Sequence, residues 1–590
     1  MTKALFFAPH SFIWIHAYPE ALVAEALVVE GFDVHYVGCG KALSSWCVSM
    51  ESTGAQESMP QIEKSIICAK CVQNKKHLID HFGFSTSDLI SYLIADDIKT
   101  IEKILQTIRR EDIIDFKING LEIGRASLYN FVLNRKKQFS KGFSDAELAD
   151  FLISFRSTLI SYYAGRRLLE QHQPEKVIFY SSSYSANLVV RMQAEQLGID
   201  CFSIYAGPNW HNRLQRIHIS STDSFKAYRD KLALWADQHK FLPATQEALD
   251  SALVFNKALI AGKHIMVYGG GNRKLQPYEI KEKWGIPSTS TVLFIATSSY
   301  DELYAAQSIK ALPENPVAAF KSQIEWIKST IEYVERRKNL SLIIRVHPRE
   351  LPNRRETIGS EHSLQLKAIL SDLPGNVKVN WPDDGMSFYD WLEIIDVGLN
   401  SWSSAGKEFA LWGLPHVSYT EDISFYPKTD LGFVGVTESE YFKKIEYALA
   451  LGWSADRILL AYRWLAYELE GSVFDISDAI RPNLIDRSLV SRAIGKLTRN
   501  KWDHLRWFSQ HKSPLKTAAL IKQRISSDRP SEDILEPSRV RLSIDAEKTY
   551  ILGIVAQICE VRFGENWQQQ AGRSNLLNNL STLLKQIRSE

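Results

Sequence analysis

The sequence predicts an α/β protein with two parallel sheets in series. Three observations predict it. Short apolar runs closed by glycine or hydroxyl residues alternate with helical stretches, first near the start and again after residue 285. A polar, helical stretch interrupts the first series, and the last 140 residues or so read as helical. The chain has 590 residues, too many for one ordinary core.

The elements follow in order. Ala4–Ala8 reads as a buried strand, Glu20–Glu30 as a helix stopped by Gly31, and Val34–Val37 as the next strand. Residues 50–150 form a helical insertion without a good strand, with helices over Ile98–Ile108 and Ala146–Gln171. The rhythm resumes at strand Lys176–Tyr180, helix Ala186–Leu197 and strand Cys201–Tyr205. Gly269-Gly270-Gly271-Asn272 and Pro287 mark a domain boundary. Beyond it, strands are expected at Val292–Ala296, Ser341–Val346, Val377–Val379, Val397–Leu399 and His416–Val417. Helices are expected at Phe320–Arg337, Phe388–Ile395 and Ala405–Leu411. The expected domains are therefore 1–270, 285–450 and a helical extension 451–590, with a linker at Ser526–Ser538 around Pro530 and Pro537.

Composition narrows the function classes. Hydrophobic residues make up 45% and charged ones 23%, the balance of a soluble globular protein. Lys and Arg total 70 against 68 Asp and Glu, so no general attraction to nucleic acid is expected. The start carries His10, His16 and Glu20 within its apolar stretch, unlike a signal peptide, and no apolar run is long enough to span a bilayer. A cytoplasmic protein is expected. From Asp486 to Arg524, ten Lys and Arg face only two acids, and Trp502, Leu505, Trp507 and Phe508 are interleaved with them. That mixture suits the anionic inner-membrane surface, and equally a solvated helical face packed through its Trp residues.

One constellation stands out. Arg345-Val346-His347-Pro348 puts a histidine at the carboxyl end of a buried strand, where open α/β sheets bind ligands. Ser403-Ser404 opens a helix after another strand, and unpaired N–H groups there suit a phosphate. Glu408 lies one turn further, where a carboxylate can accept from a ribose diol. The serines also suit plain N-capping, and His347 a satisfied strand-end histidine. Thr297 to Glu302, with Ser299 and Asp301, follows the first strand of this second series and is a further candidate for ligand contact.

With Trp381-Pro382-Asp383-Asp384, Ser387-Phe388-Tyr389-Asp390 and Gly413-Leu414-Pro415, these residues make the chain resemble GT-B glycosyltransferases of bacterial capsule and lipopolysaccharide synthesis. The Kdo- and sialic-acid-transferring groups with an HP motif are similar over residues 1–50 and 175–450. The resemblance implies two Rossmann-like domains whose sheets face across a cleft, and a CMP- or UDP-linked sugar donor held by the second. Arg345, His347, Ser403, Ser404, Glu408 and Ser299 are then the donor-binding residues, and no cofactor or metal is needed for catalysis. The acceptor would be a glycan or lipid-linked glycan. The sialic-acid groups carry an acidic-acidic-Gly motif before the HP motif. Here Asp383-Asp384-Gly385 follows it, so that pair receives no role. UDP-sugar 2-epimerases share the fold, which keeps an isomerase open; a non-catalytic glycan-binding scaffold is the third reading.

In inverting enzymes of this kind a histidine begins the first helix, and His16, fifteen residues before Gly31, has that spacing. It is the expected general base, with an acidic limb in the pH profile near its reference pKa of about 6.5. Helix capping is the alternative; Glu20, Asp301, Glu302 and His211 are the replacements, and Ser181–Tyr184 a weaker acceptor contact. Finally, Cys39, Cys47, Cys68 and Cys71 carry a C-x-x-C pair among nearby thiols, the pattern of a structural zinc site or of four unlinked thiols.

Overall fold

A computed structural model describes residues 1–139, 142–221, 223–262, 275–353, 358–480 and 514–589. The chain divides into two compact units. The first comprises Met1–Ala227, Tyr304–Ala311 and Gly471–Ser538; the second comprises Tyr228–Leu303, Leu312–Glu470 and Arg539–Glu590.

The first unit is built on a seven-stranded sheet. Its strands are β1 (Lys3–Phe7), β2 (Asp33–Gly38), β3 (Ser85–Asp88), β4 (Lys176–Tyr180), β5 (Asp200–Ala206), β6 (Arg216–Ser220) and β13 (Val473–Asp475). They lie in the order β13-β6-β5-β4-β1-β2-β3, parallel except at β6 and β13. β1 is central, with Phe6 opposite Tyr36 on one side and Ile178 on the other. Leu5, Phe6 and Phe7 are all buried, because both faces of a parallel sheet are covered and each side chain has a core to enter. The helix Trp14–Val29 covers one face and Asp145–His172 the other. A capping box starts the latter: Ser144 Oγ accepts the Glu147 N–H, and Glu147 accepts the Ser144 N–H at 2.8 Å.

The second unit carries a six-stranded, all-parallel sheet. Its strands are β7 (Thr291–Ala296), β8 (Leu340–Arg345), β9 (Val377–Asn380), β10 (Val397–Asn400), β11 (His416–Ser418) and β12 (Phe433–Val434), in the order β12-β11-β10-β7-β8-β9. β7 and β8 are buried along almost their whole lengths, which explains their uninterrupted apolar runs.

Two α/β units with parallel sheets are thus present, as the strand–helix rhythm requires. Their boundaries differ from those expected. The helix Gln246–Ile260 belongs to the second unit, so the first series ends before 228 and not at 270. The extension 451–590 is no separate domain: Gly471–Ser538 returns to the first unit, where β13 pairs with β6, and Arg539–Glu590 joins the second. The glycine cluster at 269–272 lies outside the described residues, as do Trp502, Leu505, Trp507 and Phe508.

Three local expectations fail for identifiable reasons. β3 lies inside the supposed all-helical insertion; its Ser-Thr-Ser-Asp sequence gives no apolar signal because it is an exposed sheet edge. Pro530 caps the buried helical turn Ser531–Leu535 and is no linker residue. Phe388–Asp390 is one 3₁₀ turn, closed by Ser387 and Asp390, which bond to each other's backbone N–H, so no helix runs to Ile395. Among the described residues no helix is long and apolar enough to cross a membrane.

Candidate functional site

In an open parallel sheet, ligands bind beyond the carboxyl ends of the strands, where the strand order reverses. In the second unit the chain runs outward from β7 through β8 to β9, then returns to place β10 on the other side of β7. The reversal is between β7 and β10. Thr297-Ser298-Ser299 leaves β7 there, and Ser401 to Ser404 leaves β10.

These two loops are laced together. Ser298 Oγ accepts the Trp402 N–H at 3.2 Å, and Trp402 Nε1 donates to the Ser299 carbonyl at 3.3 Å. Gln323, fully buried, accepts the Ser298 N–H at 2.8 Å and donates to the Ser298 carbonyl at 3.2 Å. Thr297 Oγ1 accepts the His347 N–H at 2.7 Å, which fixes the HP turn against β7. The site is held before any ligand arrives.

His347 sits just past β8, partly exposed. Its Nδ1 accepts the Arg349 N–H at 3.3 Å, so the neutral ring carries its proton on Nε2. Glu408, in the helix Ala405–Leu411, accepts the Tyr389 hydroxyl at 2.6 Å on one oxygen and the Ser404 hydroxyl at 3.4 Å on the other. Burial raises its pKa above the usual carboxylate value. Ser403 Oγ caps the Ala405 N–H at 3.3 Å, while Ser404 is exposed and caps nothing. His347, Ser404 and Glu408 lie around one switch point. Sequence reasoning missed Tyr389, Gln323 and Trp402 as site residues; only the Ser387-x-x-Asp390 box hints that Tyr389 is held.

Three expected residues are engaged elsewhere. Arg345 is buried and donates to Asn380 Oδ1 and to the Met386 carbonyl at 2.8 Å, so it fastens β8 to the chain beyond β9. Burial lowers its pKa to about 10, which leaves it charged. Asp301 is buried in a 2.6 Å ion pair with Arg349 and also accepts from Ser299 Oγ at 2.8 Å. Neither Asp301 nor Ser299 is placed as a free base or donor contact. Glu302 also faces Arg349, at 3.2 Å.

In the first unit the order reverses between β1 and β4. His10 follows β1, His16 stands in the first turn of Trp14–Val29, and Tyr180 to Tyr184 follow β4. His16 stacks on Tyr180 with centroids 4.2 Å apart, and His10 meets Tyr184 edge-on at 5.9 Å. Ser181 adopts φ 59°, a strained conformation for a residue with a side chain; Asn187 Nδ2 supports it by donating to the Tyr180 and Ser181 carbonyls, both at 3.1 Å. Burial, helped by His10 and Arg213, lowers the His16 pKa to about 3; burial alone lowers that of His10 to about 4. Glu20 is buried, accepts the Tyr180 N–H at 3.0 Å and has a pKa raised by burial, so it supports the sheet and is no alternative base. His211 is exposed on the loop after β5.

Cys39, Cys47, Cys68 and Cys71 do converge, lining a cavity of about 20 Å³ with room for about one water molecule. Burial pushes the pKa of Cys39, Cys47 and Cys71 up to about 12, so they are neutral thiols. Cys71 donates to the Pro9 carbonyl at 3.6 Å, and Cys39 Sγ accepts the Leu43 N–H at 3.3 Å. Among the described residues no group of three His, Cys, Asp or Glu side chains is placed to hold a metal ion, so the zinc reading of this cluster does not carry into the structure.

No protein-family model and no curated protein matches the chain. Among solved structures it is similar to UDP-GlcNAc 2-epimerase from Neisseria meningitidis bound to UDP-GlcNAc, with 11% identity, 85% of this chain and 100% of that one covered, and a TM-score of 0.25. The spinosyn rhamnosyltransferase SpnG is 12% identical over 80% of this chain and 97% of its own, with a TM-score of 0.23. Thermosulfurimonas dismutans KpsC, a beta Kdo 2,4 transferase, is 15% identical over 49% of this chain and 78% of its own, with a TM-score of 0.29. The functional reading rests on the site residues and the sheet orders.

Proposed function

We propose that the chain is a glycosyltransferase that takes its sugar from a nucleotide donor bound at the β7/β10 switch point of the second unit. The observation that carries this is the pre-held set of His347, Ser404 and Glu408. An imidazole and a hydroxyl suit a diphosphate or phosphate, and a carboxylate suits a ribose diol. His347 would stabilise charge on the departing phosphate as the glycosidic bond to it breaks. Ser403 caps the loop and acts through its shape.

The first unit is assigned the acceptor, a glycan or lipid-linked glycan, and His16 the role of base. As the acceptor hydroxyl attacks the anomeric carbon, His16 takes its proton and the nucleotide leaves with the electron pair of the broken bond. The motif resemblance supports a CMP- or UDP-linked donor and a place in synthesis of a surface polysaccharide. The basic, Trp-bearing stretch before Arg524 supports attachment to an anionic membrane surface.

The test is nucleotide release from CMP- and UDP-sugars, with and without a glycan acceptor. Release that requires acceptor, with a new glycosidic bond in the product, is expected. An altered sugar formed without acceptor would show epimerisation in its place, and no turnover with any donor would remove the enzymatic reading.

A further inference from the structure

The switch point of the first unit has an imbalance of hydrogen-bonding groups. His10 is 8% exposed, and among the described residues neither of its ring nitrogens has a hydrogen-bond partner. His16 Nδ1 and the Ser183 hydroxyl are also buried without partners among those residues. Arg213, on the partly exposed loop between β5 and β6, makes no ion pair or side-chain hydrogen bond among the described residues, yet it acts electrostatically on His16, Tyr180 and Tyr184. These groups come from the ends of three adjacent strands, β1, β4 and β5.

The nearby carboxyls do not answer this excess. Glu20 accepts the Tyr180 N–H, and Glu51 accepts from Trp46 Nε1 at 3.2 Å and from Asn130 Nδ2 at 3.0 Å. A buried polar group without a partner is destabilising, and several in one place are rare in a finished core. A water molecule would satisfy a histidine but bring no negative charge to pair with Arg213. An oxyanion accepts from guanidinium, imidazole N–H and hydroxyl together, and it restores local neutrality.

We propose that this switch point binds an oxyanion, a sugar carboxylate or a phosphate, through Arg213 with His10 and Ser183 behind it. Assigning the ligand to the acceptor rests on the proposed glycosyltransferase function; the anion site itself does not. The stacked His16 and Tyr180 rings and the Tyr184 edge form an aromatic wall beside it, which fits an acidic sugar. The acceptor class this specifies is a glycan bearing acidic groups.

The experiment titrates the full chain with methyl β-glucuronide, methyl β-glucoside and inorganic phosphate, for the wild type and for Arg213→Gln, Arg213→Lys and His10→Gln. Binding of glucuronide or phosphate is expected, with the tighter of the two identifying the anion and glucoside weaker. Arg213→Gln should reduce anion affinity at least tenfold, and Arg213→Lys should recover part of it. His10→Gln should lie between Arg213→Gln and the wild type. Melting curves for each variant separate lost binding from lost folding. Overturning results are anions that bind no better than glucoside, or anion affinity unchanged in well-folded Arg213→Gln. UDP and CMP affinity should be unaffected throughout; absence of binding by both in the wild type would defeat the donor reading while leaving the anion site standing.

Discussion

His16 begins the first helix, and its environment changes the expectation formed from its type. An ordinary histidine would lose its basic form below pH about 6.5. Burial, His10 and Arg213 lower its pKa to about 3, so the ring stays neutral and able to accept a proton throughout the physiological range. His16→Ala should therefore reduce turnover by about 10²-fold, the low end for a general base because so weak a base gains little driving force. The wild-type rate should show no His16 limb between pH 5 and 8, measured as kcat/KM against pH. Full turnover in a folded His16→Ala would return His16 to a helix-end role. His347 and Glu408 are legible as candidates because a strand end followed by a helix is readable from spacing, and His16 is a candidate through its resemblance to the helix start of inverting GT-B enzymes. The sequence held no sign that Arg345, Asp301 and Glu20 would be occupied, since Asn380, Arg349 and the Tyr180 N–H approach them from distant segments.

The helix Ala405–Leu411 shows how an element depends on a missing side chain. A Cβ on Gly406 would lie 1.8 Å from the Tyr426 hydroxyl and 3.0 Å from Asn400 Nδ2. Asn400 Nδ2 in turn donates to the Ser403 carbonyl at 2.9 Å and shapes the loop ahead of the helix. Gly406→Ala should cost about 1–3 kcal/mol of stability by overpacking. It should also weaken nucleotide binding by displacing Ser403 and Ser404. A thermal melt and a nucleotide titration of the variant check both; an unchanged melt would mean that Tyr426 moves aside freely. This helix matched its expected limits because strand, hydroxyls, glycine and apolar positions agree locally. β3, β6 and β13 escaped notice because antiparallel or polar edge strands take their stability from neighbours, not from an apolar run of their own.

Across the molecule, buried histidines set the acid response. Burial lowers His10 and His362 to about 4 and His416 to about 3, against about 6.5 when unfolded. Below pH 6.5 the unfolded chain binds protons that the folded chain refuses, so stability is present above that pH and falls as the pH drops toward 4. Each such group contributes a loss of about 1.4 kcal/mol per pH unit in that window. The melting temperature should fall steeply between pH 6.5 and 4.5, and replacing His416 by Gln should flatten the fall; a pH-independent melting temperature would show these rings exposed. The division into units was the least legible feature. Residues 471–538 return to the first unit through contacts hundreds of positions away, such as β13 with β6, and no local pattern announces them.

The β7/β10 switch point of the second unit is the proposed place of the donor nucleotide, with His347 beside its phosphate. Calorimetric titration of UDP and CMP into the wild type, His347→Gln and His347→Ala tests it most directly. Gln can present an amide N–H near the place of Nε2–H, and Ala cannot. The expected result is saturable binding of one nucleotide, weakened modestly by Gln and at least tenfold by Ala, with melting curves unchanged. Equal affinity in all three proteins, or no nucleotide binding in the wild type, would contradict it.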